Sequence, residues 1–254
     1  MATGTDRPAE RRGAVRTGVV WAAVSAALGE PGAFAGDRAR VVDIGGGTGG
    51  FAVSLAELGH RVLVVDPSPD ALAALSRRAS ESGVTDLVTG VQGDLAGLGE
   101  LVQGEADFRT GADLVLCHGV LGVVDDPAAA LATTYAALRP GGLLSLLVAQ
   151  RYAAVVARAM AGHFQAARDL LDAGDDSIRT GHRYTVDEIR AQVTAAGLEV
   201  TAIHGIRVFA DLVPGSLLDL EPGAAPALVD LERAVAERPE FLPLATQLHL
   251  VARR

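Results

Sequence analysis

The chain has 254 residues, 49% of them hydrophobic and only 4% aromatic, enough for one sizeable core built from Ala, Val and Leu. Its 22 positive side chains are all arginine and stand against 31 carboxylates; the net charge of −9 argues against a broad nucleic-acid-binding surface. The lone Cys117 excludes an intramolecular disulfide and a cysteine-built zinc site, which suits a reducing cytoplasm, and the apolar run from Val19 to Leu28 is about half of the roughly 20 residues that span a bilayer.

Residues 1–12 read as a mobile tail, followed by a helix over 13–29 that stops at Gly29 with Pro31 beyond. Strands and helices then alternate. Strands are expected at 40–44, 61–66, 87–91, 113–118 and 143–149, and helices at 48–58, 68–82 and 127–138. Ser68 is a plausible N-cap, and Pro127 sits at a first helical turn. Beyond the fifth strand, 152–171 reads as one helix or a helical pair, 172–183 as a polar loop, and 185–196 as a helix with Thr185 and Glu188 at capping-box spacing. A strand at 198–209, a helix at 224–236 and a strand at 246–252 close the chain.

The strands of the first half are near-continuous apolar runs, as in parallel strands covered on both faces. The pattern predicts an α/β, Rossmann-like, doubly wound and mostly parallel seven-stranded sheet with an antiparallel edge strand. One domain is expected over 13–254, with a cofactor half at 13–150 and a substrate half at 151–254. Ligands of such sheets sit beyond the carboxyl ends of the strands.

Asp43-Ile-Gly-Gly-Gly-Thr-Gly-Gly50 occupies that rim between a strand and a helix. Its glycines allow close backbone approach to a ligand, and the helix start offers unpaired N–H groups. Gly45, Gly47 and Gly50 fit a dinucleotide fingerprint; Asp43, Gly45, Gly47 and Gly49 fit an S-adenosylmethionine (SAM) site equally well. Asp66 ends the second strand, 21 residues after Gly45, where a carboxylate can accept both ribose hydroxyls of an adenosine, or simply cap a helix. Asp94, after Gln92 and Gly93, reads as a partner for an adenine amino group or as a turn residue. His118 ends the fourth strand on the same rim. The other histidines show no metal-ligand spacing, and no metal is expected. Arg139-Pro-Gly-Gly142, running into a strand, separates the two cofactor templates in favour of SAM; its own role is that of a tight turn.

Taken in order, Asp43–Gly49, Asp66, Asp94, His118 and Leu138–Gly142 resemble a class I SAM-dependent methyltransferase over about residues 38–150. A closer likeness runs almost the whole length. Arg12–Arg16, Cys117–Pro127, Leu138–Leu146, Met160–Phe164 and Gly205–Asp211 are similar to the bacterial tRNA carboxymethoxyuridine methyltransferase family, which esterifies the carboxylate of a modified wobble uridine. The resemblance implies that Arg16 grips the methionine carboxylate of SAM and that Gly45 and Gly46 line the methionine moiety. It also implies that Asp66 meets the ribose, Gln92 the adenine and His118 the cofactor's far side. Two places depart from that family. The segment after the Ala-Gly-x-Phe helix is lysine-rich there and acidic here (Ala167–Asp176), and an aromatic-Asn pair is replaced by Ala149-Gln150.

A carboxylate acceptor is already ionised at neutral pH and needs no general base, so alignment is the main task and no residue is assigned a catalytic role. The candidates for holding the acceptor are Arg151, Tyr152, Arg179, Arg183 and Arg207, each of which has an ordinary surface or packing explanation as well. The acceptor is expected to be tRNA or otherwise a small-molecule carboxylate or hydroxyl. Arg7, Arg11, Arg12 and Arg16 concentrate charge for RNA near the N-terminus, while the acidic balance elsewhere favours a metabolite. An NAD-dependent oxidoreductase, which shares the glycine pattern, and a non-catalytic SAM-binding module are the competing classes. No membrane partner is expected, and no motif specifies an oligomeric state.

Overall fold

The computed structural model describes residues 8–30, 34, 36, 38–172, 181–220 and 223–254. In chain order it contains α1 (Pro8–Gly29), β1 (Arg40–Ile44), α2 (Gly50–Glu57), β2 (Arg61–Asp66), α3 (Pro69–Glu81), β3 (Val88–Gln92), α4 (Leu98–Gly104), β4 (Ala112–His118), α5 (Pro127–Ala137) and β5 (Leu138–Ala149). The second half adds α6 (Arg151–Met160), α7 (Phe164–Asp172), α8 (Val186–Ala195), β6 (Glu199–Ile206), α9 (Gly215–Leu220), α10 (Ala224–Val235) and β7 (Gln247–Arg253).

The strands form one seven-stranded sheet in the order β3-β2-β1-β4-β5-β7-β6. Strands β1 to β5 pair in parallel, and the antiparallel pairing expected toward one edge is supplied by β7, which runs against both β5 and β6. Strand order reverses between β1 and β4, so the crevice at their carboxyl ends is the natural ligand position. Alternation along the strands splits the core into two layers. Val42, Ile44, Leu63, Val115 and Leu146 face α4, α5 and α8. Val41, Val64, Leu114, Leu116 and Leu147 face α1, α2 and α3. Asp43 and His118 fall on this second face by the same alternation, which brings both toward α1 and α2.

Local chemistry fixes the helix ends. Ser68 Oγ accepts the Ala71 N–H at 3.2 Å, and the Asp126 carboxylate accepts that of Ala129 at 2.9 Å ahead of Pro127. The Thr185–Glu188 capping box is complete. The helical stretch after β5 is a pair, broken at Ala161-Gly162-His163, where Gly162 takes a positive φ of 78°.

Three expectations are corrected and one helix is added. The first helix begins at Pro8, inside the segment expected to be a tail, because proline suits a first helical turn and good helix formers follow. Helix α4 is unanticipated; it is short and has a glycine at its last position. The Arg139-Pro-Gly-Gly turn lies within β5, where Ala112 and Leu114 of β4 pair with Leu138 and Leu143, so 139–142 bulge out of the ladder. Arg139 pairs there with the buried Asp113, which Arg40 also holds at 2.9 Å. Burial alone would raise the Asp113 carboxyl, but the two guanidiniums hold it below its ordinary range. Finally, β6 ends at Ile206, short of the expected 209. Arg207 is left-handed (φ 58°), and the backbone N–H groups of Val208, Phe209 and Ala210 are captured at 2.7–2.9 Å by the buried carboxylate of Glu232 on α10.

Candidate active site

A cleft of about 300 Å3 opens at the carboxyl ends of β1 and β4. Asp43, Gly45, Gly46, Phe51, His118 and Gln247 contribute to its walls. The glycine turn is required here on steric grounds. A Cβ on Gly45, whose φ is 65°, would stand 2.6 Å from Val120 Cγ2, and one on Gly46 would stand 2.6 Å from Asp43 Oδ2. Asp66 Oδ2 accepts the Gly47 N–H and its Oδ1 accepts the Ser68 N–H, both at 2.9 Å, so the carboxylate ties the end of β2 to the glycine turn. Two of a carboxylate's roughly four acceptor sites are used this way, which leaves capacity for a diol.

Asp43 is buried beneath the turn. Burial, and then the neighbouring Asp66 carboxylate, push its carboxyl from 3.8 up to about 7. Gln92 pairs in register with Asp66 at the adjacent strand end, and its amide donates to the Pro67 carbonyl at 3.2 Å. Asp94 is exposed, and its Oδ1 accepts the N–H groups of Ala96 and Gly97 at 3.0 and 3.2 Å, which is the turn role weighed for it. Burial pushes the Cys117 thiol up to about 12, which removes it as a nucleophile.

His118 closes the cleft from β4 with its ring edge-on to Phe51, centroids 5.1 Å apart. Its Nε2 lies 2.8 Å from Ser145 Oγ on β5, and Ser145 Oγ lies 2.7 Å from His249 Nε2 on β7. His249 Nδ1 is 3.3 Å from His204 Nδ1 on β6, and His204 Nε2 is 3.4 Å from Glu237. A polar row therefore crosses four strands inside the α1 face. Burial lowers both His204 and His249, the latter well below its ordinary value with help from the two neighbouring rings.

The predicted residues thus divide. Asp43, Gly45, Gly46 and His118 meet in one cleft. Gly47, Asp66, Gln92 and Asp94 do not line it; Asp66 is joined to the glycine turn through the Gly47 N–H, Gln92 is its register partner on β3, and Asp94 follows β3. Arg16 lies on α1, and its side chain is outside the described residues, as is all of Arg179. Arg151 does not point to an acceptor: its guanidinium bonds Glu188 at 2.8 Å and the Arg183 carbonyl at 3.2 Å. Burial would raise the Glu188 carboxyl, but the Thr185 N–H and this arginine hold it below its ordinary range. Arg207 is paired with Asp211 at 3.1 Å. Tyr152 is 42% exposed on α6, whereas Tyr184 is buried with its hydroxyl on the Leu121 carbonyl. Arg183 lines a second cavity next to the cleft.

Gln247 was not anticipated. Its Oε1 is buried at the cleft without a hydrogen-bond partner, and only the antiparallel insertion of β7 brings it there; an isolated glutamine before an apolar strand carries no signal in sequence. A larger groove of about 790 Å3 lies over the β6 edge between α8 and Glu237, remote from the strand-order switch. Among the described residues no group of three or more potential metal ligands converges, and no helix is long and apolar enough to cross a membrane.

The cleft fits an adenosyl cofactor with an amino-acid tail. Its walls hold the glycine cradle at Gly45 and Gly46 and two acceptors, the unpartnered Gln247 Oε1 and the Asp43 carboxyl, and the acid Asp66 stands at the end of β2 bonded to the Gly47 N–H. The family model described as a methyltransferase domain matches residues 20–203. The tRNA 5-carboxymethoxyuridine methyltransferase of Escherichia coli (strain K12) is 27% identical over 96% of this chain and 89% of its own length. The ubiquinone biosynthesis O-methyltransferase of Xanthomonas axonopodis pv. citri is 31% identical over 66% of each. Among solved structures, the magnesium protoporphyrin IX methyltransferase of Synechocystis PCC 6803 with bound SAH superposes with a TM-score of 0.58 at 16% identity, over 96% of this chain and 83% of that one.

Proposed function

The chain belongs to the SAM-dependent methyltransferase family, and from that premise we propose that it esterifies the carboxylate of a 5-carboxymethoxyuridine in tRNA. The observation that carries this reading is the reach of the likeness: it continues past the cofactor half and through the acceptor half of the chain. A cytoplasmic site of action belongs to the same proposal.

When bound, SAM supplies an electrophilic methyl group. The chain's own residues hold and orient. Asp66 holds the adenosyl end by its ribose, Gly45 and Gly46 line the methionine moiety, and Asp43 and Gln247 offer acceptors to its ammonium group. A carboxylate acceptor arrives ionised and needs no proton removed, so none of the histidines is required as a base. Correct alignment of two bound reactants is worth roughly 7–11 kcal/mol of barrier, and that is the service this rim provides.

Mass spectrometry of tRNA nucleosides from cells with and without the gene tests the proposal. Loss of the ester with accumulation of the free acid is expected; an unchanged wobble-uridine profile would remove the tRNA reading. A second reading, methylation of a small-molecule carboxylate or hydroxyl, is favoured by a specific observation: the chain has no lysine, carries a net charge of −9, and is acidic at Asp172–Asp176. Turnover on a metabolite panel with none on total tRNA would choose it.

A further inference from the structure

Beside the cofactor cleft lies a cavity of about 590 Å3. The two adjoin along the chain, since Thr246 lines the cavity and its neighbour Gln247 lines the cleft. Its walls are largely apolar, with Ala157, Val208 and Leu244 among them, and three charged groups enter it: Arg158 from α6, Arg183 from the approach to α8, and Asp211.

Asp211 is already engaged. Its Oδ2 accepts from Thr246 Oγ1 at 2.7 Å and pairs with Arg207 at 3.1 Å. The other two have no neutralising partner among the described residues. Among the described residues neither Arg158 nor Arg183 has a carboxylate within ion-pair distance; Arg158 Nη1 reaches only the Ala154 carbonyl at 3.4 Å, and Arg183 Nε is buried with no partner at all. Burial, and then repulsion from Arg158, depress the Arg183 guanidinium below its ordinary value. Two like charges half-buried against an apolar wall are costly unless an anion joins them, and the planar guanidinium fork matches carboxylate and phosphate geometry.

We propose that Arg158 and Arg183 form an oxyanion subsite that binds one carboxylate or phosphate group of the methyl acceptor. The inference rests on the methyltransferase reading and adds to it that the acceptor is anionic, and which side chains hold its charge. Arg158, on an alanine-rich helix, is a binding residue that no sequence motif marks.

Two sources share this chemistry, the acceptor's own carboxylate and a phosphate of the polynucleotide, and small probes separate them. Calorimetry on the SAH-saturated protein is made with 5-carboxymethoxyuridine, with its neutral methyl ester, and with uridine 5′-monophosphate. Binding of the free acid but not the ester supports the subsite with the carboxylate as its ligand. Binding of the monophosphate alone supports it with phosphate as its ligand. In either case Arg183→Gln and Arg158→Gln should each weaken the bound probe at least tenfold, with Arg183→Lys weakened less than Arg183→Gln. Unchanged melting and SAH affinity control for folding, and Arg158→Gln carries the test if Arg183→Gln is unstable. Failure of both anionic probes to bind, or equal binding by the glutamine variants, overturns the subsite. The two readings fail separately. Probes that bind the arginines while tRNA is not methylated would sink only the tRNA proposal. Methylation of tRNA that is undiminished in both glutamine variants would sink only the subsite.

Discussion

The two ends of the ligand-binding rim are built by different means. On the β1–β2 side the backbone defines the site: glycines 45 and 46 leave room that no side chain could leave, and Asp66 holds the turn through the Gly47 N–H. On the β5–β6 side the backbone is itself held by side chains. Arg151 and Glu188 lock the start of α6 to the cap of α8, and the Glu232 carboxylate holds the loop after β6 by three N–H groups. A backbone-built site tolerates few substitutions, because any Cβ at 45 or 46 collides with Val120 or Asp43. A framework built on ion pairs and side-chain caps can be re-specified by exchanging a few charges.

The contrast can be broken experimentally, and the largest effect is expected at Glu232. Glu232→Ala strands three N–H groups, those of Val208 and Ala210 buried and that of Phe209 partly so, each losing a charge-assisted bond, and should cost about 3–5 kcal/mol of unfolding free energy. Denaturant titration measures it. SAH affinity of the folded fraction should survive, and a loss of SAH binding equal to the loss of stability would mean that the two sides are not separable. Asp66→Ala attacks the other side. Two ribose contacts worth about 1.5 kcal/mol or more each predict at least a 100-fold loss of SAM affinity by calorimetry. An Asp66→Ala protein that binds SAM normally would remove the ribose assignment.

Acidity sharpens the comparison further. Asp43 titrates near 7 in the folded protein and near 3.8 unfolded, so its contribution to stability is full below 3.8 and is lost as pH rises through about 7. A bound cation reverses that preference. SAM affinity should therefore climb as pH rises toward 7, by up to about tenfold per unit, and level off above it; Asp43→Asn should flatten the slope. His204 and His249 act with the opposite sign. Their folded values lie below 6.5, so stability is intact above 6.5 and falls as pH drops below it, when the unfolded chain takes up protons first. Melting curves of wild type and His249→Gln at pH 7.5 and 5.5 separate the two contributions. The smallest effect belongs to Arg151→Ala, at about 1 kcal/mol, because Glu188 is 40% exposed and water screens much of the pair. Melting should shift while SAH binding stays level.

The same contrast explains what could be read from sequence. The β1–β2 side was legible because its devices are residue types at fixed spacing: glycines at 45 to 47, an acid at a strand end, proline and serine at helix starts. The end of β6 was not, because a left-handed arginine at 207 is imposed by Glu232 from 25 residues downstream. Arg158 and Gln247 were missed for a related reason. Each is an isolated polar residue in an apolar stretch, and only tertiary packing gives it a cavity to face. Arg151 and Arg207 looked like acceptor ligands in sequence because an ion-pair partner 37 or 4 residues away leaves no mark on the arginine itself.

The row from His118 to Glu237 carries one more consequence. A hydroxyl between two ring nitrogens, followed by two facing nitrogens, has only two self-consistent directions in which its hydrogens can point. Glu237 is acceptor-only when ionised, so it selects the direction in which His204 Nε2 carries hydrogen, His249 donates from Nδ1, Ser145 donates to His249, and His118 donates from Nε2. The tautomer of a ring in the cofactor cleft is thus set from the far edge of the sheet. Nitrogen-15 spectra should find the His118 proton on Nε2, and a proton on Nδ1 alone would deny the row its polarity.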